Sequence, residues 1–284
     1  MHKAKLIVTV FAIFLVFIFP IELTNASDLA GTDNPTSFSG EILPWSKADK
    51  LIPKGSKFTV IDVTTGHQFK VQRRAGNKHA DVQPLTEKDT KMMKKIYRGN
   101  WSWKRRSILV LVDDQLLAAS MHGMPHGAGA LQNGFPGHFC IHFWGSTTHK
   151  TKHADLAHKL MILKAGGRLE SYLRALEPEE VIYVFETAIN NRDKDILDLT
   201  VTDMKNNHRF NKVLKEISIM KILDVRTSKN DNNEYMITEI PVRAKLYYKD
   251  NSKETKQLLF VLEREGSALR WGIDSDYLLS QLDA

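Results

Sequence analysis

The chain contains one cysteine, Cys140, among 284 residues, so no intramolecular disulfide can brace it. A lone thiol in an oxidising compartment has to be buried, bound to metal or reactive by design, which makes Cys140 the first residue needing an explanation. Past the N-terminus no apolar run is long enough to span a bilayer, so no membrane domain is expected there. No internal repeat or heptad is visible, and there is no His-Glu-x-x-His helix of the kind that marks a metalloprotease. The Lys and Arg residues are scattered rather than gathered around stacking aromatics, which argues against nucleic acid as a partner.

What is present begins with an export signal. Lys3 and Lys5 precede an apolar run over 6–21 that carries Phe11, Phe14, Phe17 and Phe19, and Thr24-Asn25-Ala26 puts small residues where a signal peptidase reads. The expectation is a signal peptide over 1–26, a mature chain starting at Ser27, and a secreted or cell-envelope location. The alternative is an uncleaved anchor, in which case this segment is the only membrane contact. The formal charge of +7 falls to +6 when Lys3, Lys5 and Glu22 leave with the leader. A basic exported protein suits a polyanionic partner, peptidoglycan or an anionic wall polymer.

Residues 27–42 are rich in Gly, Ser, Thr, Asp and Asn and read as a disordered tether, with folded sequence starting near Trp45. A first, mainly β domain with one or two helices is expected over 43–166. Alternation over 57–63 and 67–73 around Thr64-Thr65-Gly66 predicts a hairpin, and 108–112 with 116–121 around Asp113-Asp114 predicts another. Thr86 with Asp89 opens a helix that Gly99 closes, with Met92, Met93, Ile96 and Tyr97 as its apolar stripe. A Gly-rich loop over 123–137 leads to a strand at 138–143, and 154–164 reads as a helix. Gly166-Gly167 and Glu177-Pro178 mark a linker. An α+β domain with a curved antiparallel sheet is expected over 177–284, a helix bearing Val181, Val184, Phe185, Ala188 and Ile189 coming before long strands.

Nine of the eleven histidines fall between His67 and His158, so any chemistry belongs to the first domain. In Gly137-His138-Phe139-Cys140-Ile141-His142-Phe143 a strand period of two sends His138, Cys140 and His142 to one face and the aromatic and aliphatic residues to the other. An imidazole beside a thiol can take its proton or stabilise its thiolate. Upstream, His122-Gly123 and His126-Gly127 offer an imidazole next to a residue without a side chain, leaving room for a substrate carbonyl and for backbone amides facing an oxyanion. A buried, structural Cys140 stays open beside this reading. So does a zinc site with His79 and Asp81 joined by His126, His138, Cys140 or His142. Trp101-Ser102-Trp103 followed by Lys104-Arg105-Arg106 reads as a glycan-stacking substrate surface or as two packed indoles. His149, His153 and His158 read as surface residues.

The block from His122-Gly123 through Gly137-His138-Phe139-Cys140-Ile141-His142 resembles the L,D-transpeptidases, the YkuD-like fold. His138, Cys140 and Ile141 stand at that family's His, Cys and apolar positions. Gly137 replaces Ser or Thr, Phe139 replaces Gly, and His142 replaces Asn or Arg. The resemblance implies Cys140 as nucleophile, His138 as base, and His126, His122 and His142 around the acyl site, with peptidoglycan peptides as substrate and no cofactor. The wider block, from His79-Ala80-Asp81-Val82 through Trp101-Ser102-Trp103 to Thr148-His149, is similar to exported proteins of Gram-positive bacteria. Residues 177–284, through Pro178-Glu179-Glu180, Asp193-Lys194-Asp195 and Arg270-Trp271-Gly272-Ile273-Asp274, resemble the NTF2-like group. That likeness implies helices packed on a bent sheet, and with His208 as the segment's only histidine a binding role is expected for it.

Overall fold

The computed structural model describes residues 39–148, 155–202, 208–226, 236–264 and 269–283. The expected leader, the tether up to 38, and His149 and His153 lie outside the described residues. Among the described residues no helix is long and apolar enough to cross a membrane. Strands outweigh helices in the first half: a short helix α1 (Trp45–Leu51) is followed by β1 (Lys57–Asp62), β2 (Gln68–Ala75), β3 (Ala80–Pro84), α2 (Glu87–Ile96), β4 (Arg105–Val112), β5 (Gln115–His122) and β6 (Phe139–His142). These six strands close into an antiparallel barrel in the order β1-β2-β3-β6-β5-β4, with β4 returning to β1.

Local chemistry explains the pieces. In α2, Thr86 and Asp89 form a reciprocal capping box, each side chain accepting from the other's backbone amide. Asp113 and Asp114 both adopt left-handed φ angles, 46° and 59°, the conformation a two-residue hairpin turn between twisted strands demands. Inside the barrel, Val60, Val71, Val82, Val110, Leu117, Ala119, Met121, Phe139 and Ile141 form one buried cluster, with Met93 and Ile96 of α2 packed against it. Alternation then forces the intervening residues of β3, β6, β5 and β4 to the barrel's outer wall.

Helix α3 (Leu156–Ala165) lies on that wall. Its Ile162 and Ala165 pack on Leu109 and Ala118, while its Leu160, Met161 and Leu163 join a second core. Folded backbone is already present upstream of Trp45, because Gly40 donates to the Ala165 carbonyl and Glu41 bridges Leu117. The stretch read as a linker is also structured. It forms α4 (Leu169–Arg174), and Leu169, Leu173 and Leu176 are buried in the second core, since three leucines at near-helical spacing gain more from burial than a tether requires.

The second half comprises α5 (Pro178–Asn191), α6 (Lys194–Thr200), α7 (His208–Glu216), β7 (Ile217–Val225), β8 (Ile237–Tyr248), β9 (Lys253–Glu263), β10 (Gly272–Ile273) and α8 (Ser275–Leu282). The sheet order is β10-β9-β8-β7, all antiparallel, and two register shifts in β7 curl it. Val181, Val184, Phe185, Ala188 and Ile189 bury one face of α5 in its core. The chain is therefore a mixed α and β fold with a closed six-stranded barrel and a curled four-stranded sheet.

Arg73 was not singled out in the sequence, yet it is a large, fully buried side chain, 1% exposed. Its guanidinium donates to the carbonyls of Asp49, Ile52, Ala75 and Gly76 and to the Asp49 carboxylate. It stitches α1 to the β2–β3 turn with a fork only arginine can supply. Arg106 makes a bidentate pair with Asp62, which is wholly buried.

Candidate functional site: a thiol and a cluster of imidazoles on the barrel wall

Strand register assembles the site. Asp81 pairs with Cys140 across β3–β6, Met121 pairs with Ile141 across β5–β6, and Arg105 pairs with His122 across β4–β5. Asp81, Cys140, His122 and Arg105 thus form one row across the outer wall. The next row holds His79, His142 and Ser120, with Ser120 paired to His142. An isolated bridge between His126 and His138 folds the Gly-rich loop back over the start of β6, and α3 brings His158 from the other side.

Cys140 is 2% exposed. Its Sγ lies 3.3 Å from His126 Nε2 and 3.6 Å from Asp81 Oδ1. His126 Nδ1 is 3.1 Å from the Met124 carbonyl oxygen; a carbonyl only accepts, so the proton sits on Nδ1 and the Nε2 lone pair faces the sulfur. The loop backbone therefore fixes the tautomer that lets His126 accept the thiol proton. Burial pushes the Cys140 thiol well up from its ordinary range, and the charge and hydrogen bond of Asp81 push the same way, against a smaller opposing pull from Arg105. At rest the sulfur is protonated.

Asp81 is the hub of the other side. His79 Nε2 approaches its Oδ1 at 3.1 Å and His138 Nε2 at 3.8 Å. The opposite nitrogens of these rings donate to the carbonyls of Thr147 and Ala128, at 2.7 and 3.0 Å. Both His79 nitrogens face oxygen acceptors. His79, His142 and His158 stack nearly parallel, with centroids 4.7 and 3.8 Å apart. His158 Nδ1 lies 2.9 Å from Ser120 Oγ. Burial, followed by the neighbouring imidazoles His142 and His126 respectively, holds His158 and His122 well below the ordinary histidine range, so both are neutral.

The five residues expected around an acyl site are thus brought together: Cys140, His138, His126, His122 and His142 share one patch with His79 and Asp81. His126 presents its imidazole to the sulfur in hydrogen-bonding contact, and His138 also reaches Asp81. His158 was read as a surface residue and is instead 3% exposed inside the cluster. Only the packing of α3 puts it there, and its single clue is an i, i+3 relation to the capping Asp155.

The aromatic and glycine positions divide. Trp101 packs edge-on against Phe135 beside the barrel core, under Lys94. Trp103 is 49% exposed and its ring lies 4.7 Å from His122 and 5.3 Å from His126, roofing the thiol side of the cluster. Arg105 and Arg106 are engaged by Asp155 and Asp62. The space beside Gly123 is filled by the Tyr97 ring, 2.4 Å from where a Cβ would stand, and that beside Gly127 by the His138 ring, also at 2.4 Å. Those glycines admit protein rings rather than leaving room for a substrate carbonyl.

Asp81 and His79 also form part of the wall of an open cleft of about 900 Å³, flanked by Trp45 and Trp144 with Lys78, Thr147 and Thr148 along it. Three sets of donors, each including the sulfur, have ligand atoms within 4.8 Å of one another: His79–Cys140–His142, His122–His126–Cys140 and Asp81–His138–Cys140. Fold and site together define a barrel protein with a buried thiol–imidazole pair on its outer wall. No protein-family model, no curated protein and no solved structure matches the chain.

Proposed function

We propose that this is an exported cell-wall protein whose barrel carries out L,D-transpeptidase-like acyl transfer on peptidoglycan peptides, with Cys140 as nucleophile and His126 as base. The observation that carries the reading is the chain from Cys140 Sγ to His126 Nε2, 3.3 Å, and from His126 Nδ1 to the Met124 carbonyl, 3.1 Å. It has the nucleophile, base and orienting group of a triad. As Sγ attacks an amide carbonyl, the thiol proton passes to Nε2. The C–N bond then breaks, the leaving amine takes that proton, and a thioester remains on Cys140. An acceptor amine or water, deprotonated by His126, attacks the thioester and restores the thiol. A thiol that rests protonated is consistent with proton transfer concerted with attack.

The cleft between Trp45 and Trp144 suits the substrate, because its volume is that of a small peptide site and it reaches the cluster beside Asp81. Lys78 gives it a cation for a peptide carboxylate. Trp103 covers the sulfur from the other side. The curled sheet and its helices, NTF2-like in this reading, act as a non-catalytic binding module beside the barrel.

The test uses mature protein, a muropeptide donor and an amine acceptor. Wild type should give crosslinked or hydrolysed product and a hydroxylamine-sensitive acyl adduct on Cys140 in intact-mass analysis. Cys140→Ala should give neither, and His126→Gln should retain binding while losing turnover. Absence of both product and adduct in the wild type would remove the acyl-transfer reading.

A further inference from the structure

Three overlapping donor sets meet at the sulfur, and they are not equivalent. In the first, His79 already spends one nitrogen on Thr147 and turns the other to Asp81. In the third, His138 spends one on Ala128 and turns the other to Asp81. The remaining pair, His122 and His126, differs. His126 commits Nδ1 to Met124 and presents Nε2 to the sulfur. His122 is 4% exposed, and its Nδ1 is buried with no hydrogen-bond partner among the described residues, an unfavourable arrangement unless something meets that ring.

We infer that His122, His126 and Cys140 form a binding site for a thiophilic divalent cation of the Zn²⁺ class. Ligand atoms around tetrahedral zinc, with Zn–S near 2.3 Å and Zn–N near 2.0–2.1 Å, stand about 3.3–3.6 Å apart. The Sγ to His126 Nε2 separation is 3.3 Å, and all three donors fall within 4.8 Å of one another, so a ring rotation closes the set. The Met124 carbonyl supplies the outer hydrogen bond that orients a metal-binding imidazole. Trp103, tilted over both rings at 4.7 and 5.3 Å, gives the apolar cover that limits competing water. The ion takes the place of the thiol proton between Sγ and Nε2: a Zn–S bond forms, the S–H bond breaks, and the proton leaves to solvent. Three protein donors leave one coordination position for water or another ligand.

This inference stands apart from the acyl-transfer reading, and the two predict opposite states of the same thiol, since a zinc thiolate cannot serve as the free nucleophile. Co²⁺ is the probe, added to metal-stripped, full-length mature protein. The wild type should bind one equivalent and develop a sulfur-to-cobalt charge-transfer band that Zn²⁺ abolishes. Cys140→Ser should lose the band. His122→Ala should weaken binding by more than about tenfold, the loss typical of removing even an outer support, while His79→Ala should retain the band. A wild type that shows no band and retains no metal after dialysis overturns the site, whatever the variants do. Binding lost in His79→Ala and kept in His122→Ala overturns the ligand assignment. Acyl transfer is measured separately on metal-stripped protein, so failure of one reading leaves the other readable.

Discussion

Replacing Asp81 with Asn removes a carboxylate from beside the thiol while keeping the shape of the side chain. Asp81 Oδ1 lies 3.6 Å from Cys140 Sγ, and its charge and its hydrogen bond both hold the thiol in its protonated form. Two unit charges at that distance, in a protein interior with an effective dielectric of roughly 20 to 40, repel by about 2–5 kcal/mol. At about 1.4 kcal/mol per pKa unit, removing that repulsion lowers the thiol's pKa by about 1.5 to 3.5. Because His79 Nε2 contacts the same carboxylate at 3.1 Å and draws its electron density away from the sulfur, the expected fall is the lower part of that range. The assay is alkylation of Cys140 by iodoacetamide as a function of pH, followed by intact mass, with circular dichroism confirming the fold. The midpoint rather than the absolute rate is compared, since burial slows the reagent equally in both proteins. A midpoint that stays put or rises in a folded Asp81→Asn variant would refute the electrostatic argument.

Trp103→Ala should speed alkylation of Cys140 severalfold at fixed pH without shifting its midpoint, because the indole roofs His122 and His126 and carries no charge; an unchanged rate would mean that the sulfur is reached only from the Asp81 side. Arg73→Ala should lower stability by about 3 kcal/mol or more in urea unfolding, the loss of a buried fork with five acceptor contacts; a loss below about 1 kcal/mol would show that water replaces it. Gly127→Ala places a methyl 2.4 Å from the His138 ring at φ +59° and should displace that ring, seen as a changed His138 imidazole resonance; an unchanged resonance would deny the close approach. His122 and His158 are held neutral when folded and titrate near 6.5 when unfolded. The unfolded chain therefore binds the extra protons. Stability is full above about pH 6.5 and falls as pH drops below it, by about 1.4 kcal/mol per unit for each histidine; urea midpoints at pH 7.5 and 5.5 check this, and equal values would refute it.

Much of the local structure was legible. Thr86 and Asp89 announced their helix because a capping box is a contact between neighbours, and Asp113-Asp114 announced its turn because the conformation depends on those two residues. The period of two through β6 correctly separated Phe139 and Ile141 from Cys140 and His142, the two sides being the barrel interior and its outer wall. Several features escaped, the short helix α1 among them. Residues 169–174 looked like a linker because Gly166-Gly167 is a strong local signal and the leucines' partners are distant in sequence. The helix 275–282 was missed. Arg73 drew no notice because nothing nearby shows that the carbonyls of Asp49 and Ile52 converge on it.

The site divides along the same line. That a thiol would sit among imidazoles was written in the sequence, since His138 and His142 flank Cys140 on one strand face and geometry of a strand allows no other arrangement. Which imidazole meets the sulfur was not. His126, Asp81 and His122 come from a loop and two other strands, and His158 from a helix eighteen residues further along. Their positions follow from register across β3, β6 and β5 and from the docking of α3, interactions between segments that no local pattern encodes. The amino-acid order fixed the periodicities, caps and turns because each is settled by neighbouring residues; only barrel closure decided which distant groups share the sulfur's surroundings, and with them its protonation.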